Sequence, residues 1–148
     1  MEILKLKEEI RDRFPGGIVE WKETNPRRFY VEIRPEVLRA LAGFLYGDQG
    51  FRFNTASGVH LLRGFEALYH FSCDKIGLVI SLRVKLGENC PEVDSIADLV
   101  PAADWIEREM AELLGISFKG RPGTEPLLAS EDWPKDEYPL RKDFGEKR

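Results

Sequence analysis

The stretch that decides the fold is "GLVISLRVKL", residues 77–86. Leu78, Ile80, Leu82, Val84 and Leu86 alternate with Val79, Ser81, Arg83 and Lys85. A period of two is that of a strand in a sheet with one buried and one wetter face. Just upstream, "FEALYHFS" (65–72) is a clear strand, and "CDKIG" reads as the hairpin turn joining the two. "FRFNTAS" (51–57) is a weaker strand. Farther back, "IVEWKE" (18–23) and "RFYVEI" (28–33) are short strand-like runs with "TNPR" turning between them.

Helical periodicity frames these strands. Ile3, Leu6, Ile10 and Phe14 mark an amphipathic first helix stopped by "PGG" at 15–17. Pro35 suits the first turn of a second helix, with Val37, Leu38, Leu41, Phe44 and Leu45 as its buried stripe and "GDQG" as its end. The loop "GENCPEVDSIADLV" leads to a third helix, "PAADWIEREMAELLG" (101–115), with Gly115 at the C′ position. At 3.6 residues per turn, Ala102, Trp105, Ile106, Met110 and Leu113 share its apolar face, opposite Asp104, Glu107, Arg108 and Glu112. Glu109 falls inside the apolar stripe. An unpaired carboxylate there costs on the order of 2–7 kcal/mol or is forced to protonate. One solution is a cation from the following segment, Arg121 or Arg141, or from a partner subunit. The other is a slight rotation that brings Glu109 to the stripe's edge.

Composition bounds the function. At 148 residues the chain is most simply one domain with a real core. Charged residues make up 32 % while Asn and Gln together number four, a composition that hints at a thermophilic source. A net charge of −4 argues against nucleic acid as the main partner. No apolar run approaches the ~20 residues of a membrane span. "MEILKLKEEI" does not read as a signal peptide, and Cys73 and Cys90 suggest no disulfide framework, so a cytosolic chain is expected.

After Gly115 the character changes. Residues 116–148 carry four prolines and three glycines and no sustained periodicity, yet Ile116, Phe118, Leu127, Leu128, Trp133, Tyr138, Leu140 and Phe144 punctuate them. An extended arm laid over a surface is the natural reading. The expected division is a globular domain over 1–116 and a partner-binding tail over 117–148 that orders on contact with another protein.

No self-contained active site emerges. His70 and Cys73 lie three apart on a strand and point to opposite faces, so they cannot chelate together without a bulge. Ser57 and His60 in "TASGVH" lack a nucleophile elbow. "PGG" and "GRPG" lack the spacing of phosphate-binding loops. The carboxylates of "EDW" and "KDEY" in the tail read as solvated. No catalytic, cofactor-binding or metal-binding residue is expected.

The order of "FEALYHFS", "GLVISLRVKL", "PEVDSIADLVPAADWIEREMAELLGISFKG" and a closing "EDW…YPLRKDF" resembles the C subunit of respiratory complex I, its 30 kDa subunit, and the counterparts of that subunit in energy-converting hydrogenases. The likeness runs from about residue 50 to 144. Trp105, Glu107, Arg108, Glu109, Gly115 and Ile116 match the family's helix motif, and Pro139, Leu140, Arg141, Lys142, Asp143 and Phe144 its terminal motif. Glu112 stands where the quinone-reducing members usually have Asp. In "GRPGTEPLL", Arg121 replaces a His, Thr124 a Leu, and Glu125 and Pro126 a pair of arginines. An acid and a proline cannot reproduce two guanidinium contacts. These departures, the short chain and "TASGV" fit a membrane-bound hydrogenase or relative better than an NADH (or ferredoxin):quinone oxidoreductase, the alternative.

The resemblance implies an α+β domain in two layers, helices on one face of a mixed β-sheet, with an extended C-terminal arm. It implies a subunit that holds no iron–sulfur cluster, flavin or metal of its own. Iron–sulfur clusters and a NiFe centre belong to other subunits. The expected partners are a hydrogenase-large-subunit-like (49 kDa-type) protein and a neighbouring iron–sulfur subunit, in a hetero-oligomer on the cytoplasmic face of the membrane. The interface residues expected are Trp105, Glu109, Arg121, Pro122, Leu127, Leu128, Trp133, Pro139, Leu140, Arg141, Lys142 and Phe144. Trp133, Leu127, Leu128 and Leu140 would anchor the arm and Arg141 and Lys142 supply charge pairs, over an interface well above ~1,000 Å². A free-standing hydrolase using Ser57 or His60 and a transient regulatory adaptor are the rival readings.

Overall fold

The computed structural model describes residues 3–121, 132–134 and 136–145. It is an α+β fold in which three helices pack on a mixed five-stranded sheet. Helix α1 (Ile3–Arg13) is followed by the hairpin β1 (Ile18–Asn25) and β2 (Arg28–Ile33). Then come α2 (Leu38–Gly43), β3 (Arg52–His60), β4 (Phe65–Cys73), β5 (Leu78–Leu86), β6 (Glu92–Asp94), α3 (Ala103–Leu114) and β7 (Ser117–Lys119).

The sheet runs in the order β1-β2-β5-β4-β3. All neighbours are antiparallel except β2 and β5, which run parallel. Leu78, Ile80, Leu82, Val84 and Leu86 are all buried, as their alternation predicts, and face the helices with Phe29, Val31, Ile33, Phe65, Ala67, Tyr69 and Phe71. Leu6 and Ile10 of α1 and Leu38, Leu41 and Ala42 of α2 cover that face. The other face carries a polar ladder: Arg83 pairs with Glu66 at 3.1 Å and Lys85 with Glu32 at 3.2 Å. The edge strand β1 carries Glu20, Lys22 and Glu23, whereas β3 at the opposite edge has no formally charged side chain from Phe53 to His60.

Three expectations are corrected. The second helix is not one regular element: a 3-10 turn at Pro35–Val37 leads in and a π turn at Phe44–Asp48 leads out. Phe44 and Leu45 are buried within that π turn, and Val37 is half-buried. The weak strand is longer than its pattern, reaching His60. The loop after β5 and the start of the expected tail pair with each other, since β6 and β7 form a two-stranded parallel sheet around α3. Ile116 and Phe118 belong to the core, so the globule extends past residue 116.

Candidate partner interface

Helix α3 organises the site, and its rotation differs from the expected one. Its buried positions are Ala103, Glu107, Met110 and Leu114, one stripe at helical spacing. Glu109 and Leu113 are half-buried, and Trp105 is 68 % exposed. The acid inside the apolar face is therefore Glu107, not Glu109. The loop before the helix provides what a carboxyl needs there. Ser95 Oγ donates to Glu107 Oε1 at 2.5 Å and the Ile96 amide donates to Oε2 at 2.9 Å. Ser95 Oγ in turn accepts the Ala97 amide at 3.1 Å. Burial pushes Glu107 above the ordinary carboxylate range, against the downward pull of the Ser95 and Ile96 hydrogen bonds and the Arg121 charge.

Arg39 of α2 holds the same loop from its other side. It donates to the Ser95 carbonyl at 2.7 Å and forks onto Asp98 at 2.6 and 3.0 Å. The Asp98 carboxyl is held below its ordinary range chiefly by that guanidinium. None of these contacts is visible in the sequence. The available signal was the stripe Ala103–Glu107–Met110–Leu114, which is as regular as the one through Glu109.

Neither expected cation meets Glu109. Arg121 pairs with Asp104, 2.9 Å to the carboxylate and 3.0 Å to the carbonyl. Arg141 Nε donates to the Leu114 carbonyl at 2.6 Å, with its guanidinium over the rings of Phe65 and Tyr138 at 4.9 and 4.5 Å. The Leu140 amide donates to the Leu113 carbonyl at 2.9 Å, and the Lys142 amide to His60 Nδ1 at 3.0 Å. Around these contacts Leu140 is 58 % exposed, Phe144 40 %, and Trp133 38 %. The Trp133 and Phe144 rings lie 6.0 Å apart, and the Trp133 indole N–H is taken by the Glu137 carbonyl at 2.7 Å. Leu62, beside His60 in the turn after β3, is 85 % exposed. Pro139 is half-buried. Pro122, Leu127 and Leu128 lie outside the described residues.

The remaining candidates stay apart. Ser57 pairs across the sheet with Leu68 and His60 with Phe65, which puts them on opposite faces. His70 Nδ1 lies 2.6 Å from Ser81 Oγ, a dyad not foreseen, but Ser81 is fully buried and offers no accessible nucleophile. Burial, aided by Arg28, lowers the His70 pKa. Cys73 is buried and Cys90 exposed. Among the described residues no group of three or more His, Cys, Asp or Glu is placed to hold a metal ion. No described helix is long and apolar enough to cross a membrane.

Fold and site together define a small α+β domain that ties a C-terminal segment to both ends of one helix and leaves large apolar side chains facing outward. Residues 31–148 match the family described as respiratory-chain NADH dehydrogenase, 30 Kd subunit, and the chain belongs to that family, whose members sit in complex-I-like multisubunit assemblies. It is 39 % identical over 142 residues to the C subunit of the NADH-quinone oxidoreductase of Roseiflexus sp. (strain RS-1), covering 92 % of this chain and 80 % of that protein. It is 31 % identical over 147 residues to the C subunit of the F(420)H(2) dehydrogenase of Methanosarcina mazei, covering 97 % and 92 %. Formate hydrogenlyase subunit 5 of Escherichia coli is 32 % identical over 138 residues and 90 % of this chain, which spans only 24 % of that longer protein.

Two solved structures share the fold. One is a chain of the membrane-bound sulfane sulfur reductase, an archaeal respiratory membrane complex (TM-score 0.83, 20 % identity, 97 % of this chain and 85 % of that one). The other is the trypsin-resistant fragment of Nqo5 (TM-score 0.66, 23 % identity, 83 % and 99 %).

Proposed function

We propose that this chain is a structural and assembly subunit in the peripheral, cytoplasmic arm of a complex-I-like membrane oxidoreductase. It carries no cofactor of its own and docks through α3 and the C-terminal arm on a hydrogenase-large-subunit-like protein, next to an iron–sulfur subunit. The observation that carries this reading is the set of exposed apolar side chains at the two ends of α3, Trp105 at one and Leu62, Trp133, Leu140 and Phe144 at the other. The cations Arg121 and Arg141 nearby are already engaged within the chain. A surface with these two cations engaged and its rings outward suits a permanent protein interface.

Within that class the reading favours an energy-converting [NiFe] hydrogenase or relative, supported by the similarity to formate hydrogenlyase subunit 5 and by the loss of the arginine pair at Glu125 and Pro126. The similarity to an NADH-quinone oxidoreductase component supports the second reading, a quinone-reducing complex. Affinity purification of the chain from mild-detergent extracts of its own membranes tests both. The expected result is a large, iron–sulfur-containing assembly whose hydrogenase-like subunit retains four nickel-binding cysteines. A large subunit lacking those cysteines overturns the hydrogenase reading. Recovery of the chain mainly as a small soluble species overturns the docking reading.

A further inference from the structure

We infer that residues 138–144 form a clasp that closes the arm onto this chain's own globule before any partner arrives. The last carbonyls of a helix have no partner within it. At the end of α3 the arm supplies two, because the Leu140 amide takes Leu113 O and Arg141 Nε takes Leu114 O, at 2.9 and 2.6 Å. The Arg141 guanidinium lies over both Phe65 and Tyr138, which favours a planar cation over a point charge. His60 stacks flat on Phe65 at 4.4 Å and accepts the Lys142 amide, so the same aromatic base supports both neighbours. Two further backbone bonds, from the Arg141 amide to Tyr138 and from the Phe144 amide to Arg141, hold the segment in successive turns.

Gly115 shows that this closure is built into the fold. Its φ of +77° is the left-handed conformation that ends the helix. A Cβ there would also stand 2.5 Å from Arg141 Nη2 and 2.7 Å from the Tyr138 ring. Glycine both ends the helix and leaves room for the clasp.

Arg121 fastens the other end of the arm to Asp104, near the start of the same helix. Helix α3, with 12 residues, is about 18 Å long. The 20 steps of chain from Arg121 to Arg141 can reach roughly 66 Å, so geometry permits both anchors at once. Arg121 and residues 138–144 are then both fixed to α3. Ordering residues 138–144 before association favours rapid and tight docking.

Hydrogen–deuterium exchange on the full chain alone tests the clasp without reference to any partner. The amides of Leu140 and Lys142 are expected to exchange at least about tenfold more slowly than in an unstructured peptide. Arg141→Ala should abolish that protection while amides of β4 and β5 keep theirs. His60→Phe keeps the ring stack but removes the acceptor, and should release Lys142 while sparing Leu140. Coil-like exchange at both amides in the unaltered chain, or unchanged protection in Arg141→Ala, overturns the clasp. If Arg141→Ala loosens the sheet as well, His60→Phe decides: selective release of Lys142 supports the clasp and no release overturns it.

Discussion

Glu107 has no contact with solvent, and its two carboxyl oxygens are occupied by Ser95 Oγ and the Ile96 amide. A carboxyl held this way sets the rotation of α3, because turning the helix by one residue would strand all three groups. Replacing it with an apolar residue of similar size, Glu107→Leu, is expected to cost about 1–3 kcal/mol in urea unfolding, since the Ile96 amide loses its acceptor. The titration has a definite sign. The ordinary value for such a carboxyl is 4.5 and burial raises it in the folded chain. The folded state thus binds more protons than the unfolded one above pH 4.5. The stability this group contributes is fully present below that pH and is lost as pH rises through the raised value. Glu107→Gln does not titrate, so its urea midpoint should gain on the unaltered chain as pH rises from 4.5 to 8. A constant difference across that range would refute the assignment. Tyr69 is a contrasting case: among the described residues its buried hydroxyl has no hydrogen-bond partner, and burial raises its pKa. Tyr69→Phe is expected to leave stability within about 0.5 kcal/mol of the unaltered chain or to increase it.

Among the elements, β5 was the most legible because one residue type repeats on one face, and its neighbours pair with it as the pattern requires. Within the main sheet, β3 was the least legible strand for a reason the structure supplies. Its small residues serve the approach of α3, since a Cβ on Gly58 would stand 2.6 Å from Leu114 Cδ1 and 3.1 Å from the Met110 sulfur. Gly58→Val should therefore push the helix off the strand and lower stability by about 1–3 kcal/mol, measured by thermal or urea unfolding. β6 and β7 have three residues each and pair with each other rather than with the main sheet, too short for periodicity to register. The helix motif itself was readable, but not the face it buries. Two stripes one residue apart were equally regular, and the donors that select between them sit in a loop eleven and twelve residues upstream of Glu107.

For the whole molecule, α3 closes the core with Ala103, Glu107, Met110 and Leu114 while other, exposed side chains stand toward the expected neighbour, so stability and docking are separable by mutation. Trp133→Ala combined with Phe144→Ala removes two exposed rings and should change unfolding by no more than about 0.5 kcal/mol. If these rings are anchors, the pair should weaken recovery of the assembly in affinity purification by about 2 kcal/mol or more, roughly thirtyfold. Unchanged recovery would remove them from the interface. The two borders of the sheet differ in a way that bears on supply. β1 is protected by Glu20, Lys22 and Glu23, but β3 ends the sheet with eight uncharged residues in a row. Among the described residues no charge lies along that border from Phe53 to His60, and a border of that kind templates pairing between copies. Cells making this polypeptide in excess of its neighbours should accumulate aggregates, and Ser57→Lys should keep the surplus in solution. Production of this polypeptide is thereby tied to the stoichiometry of the assembly it joins.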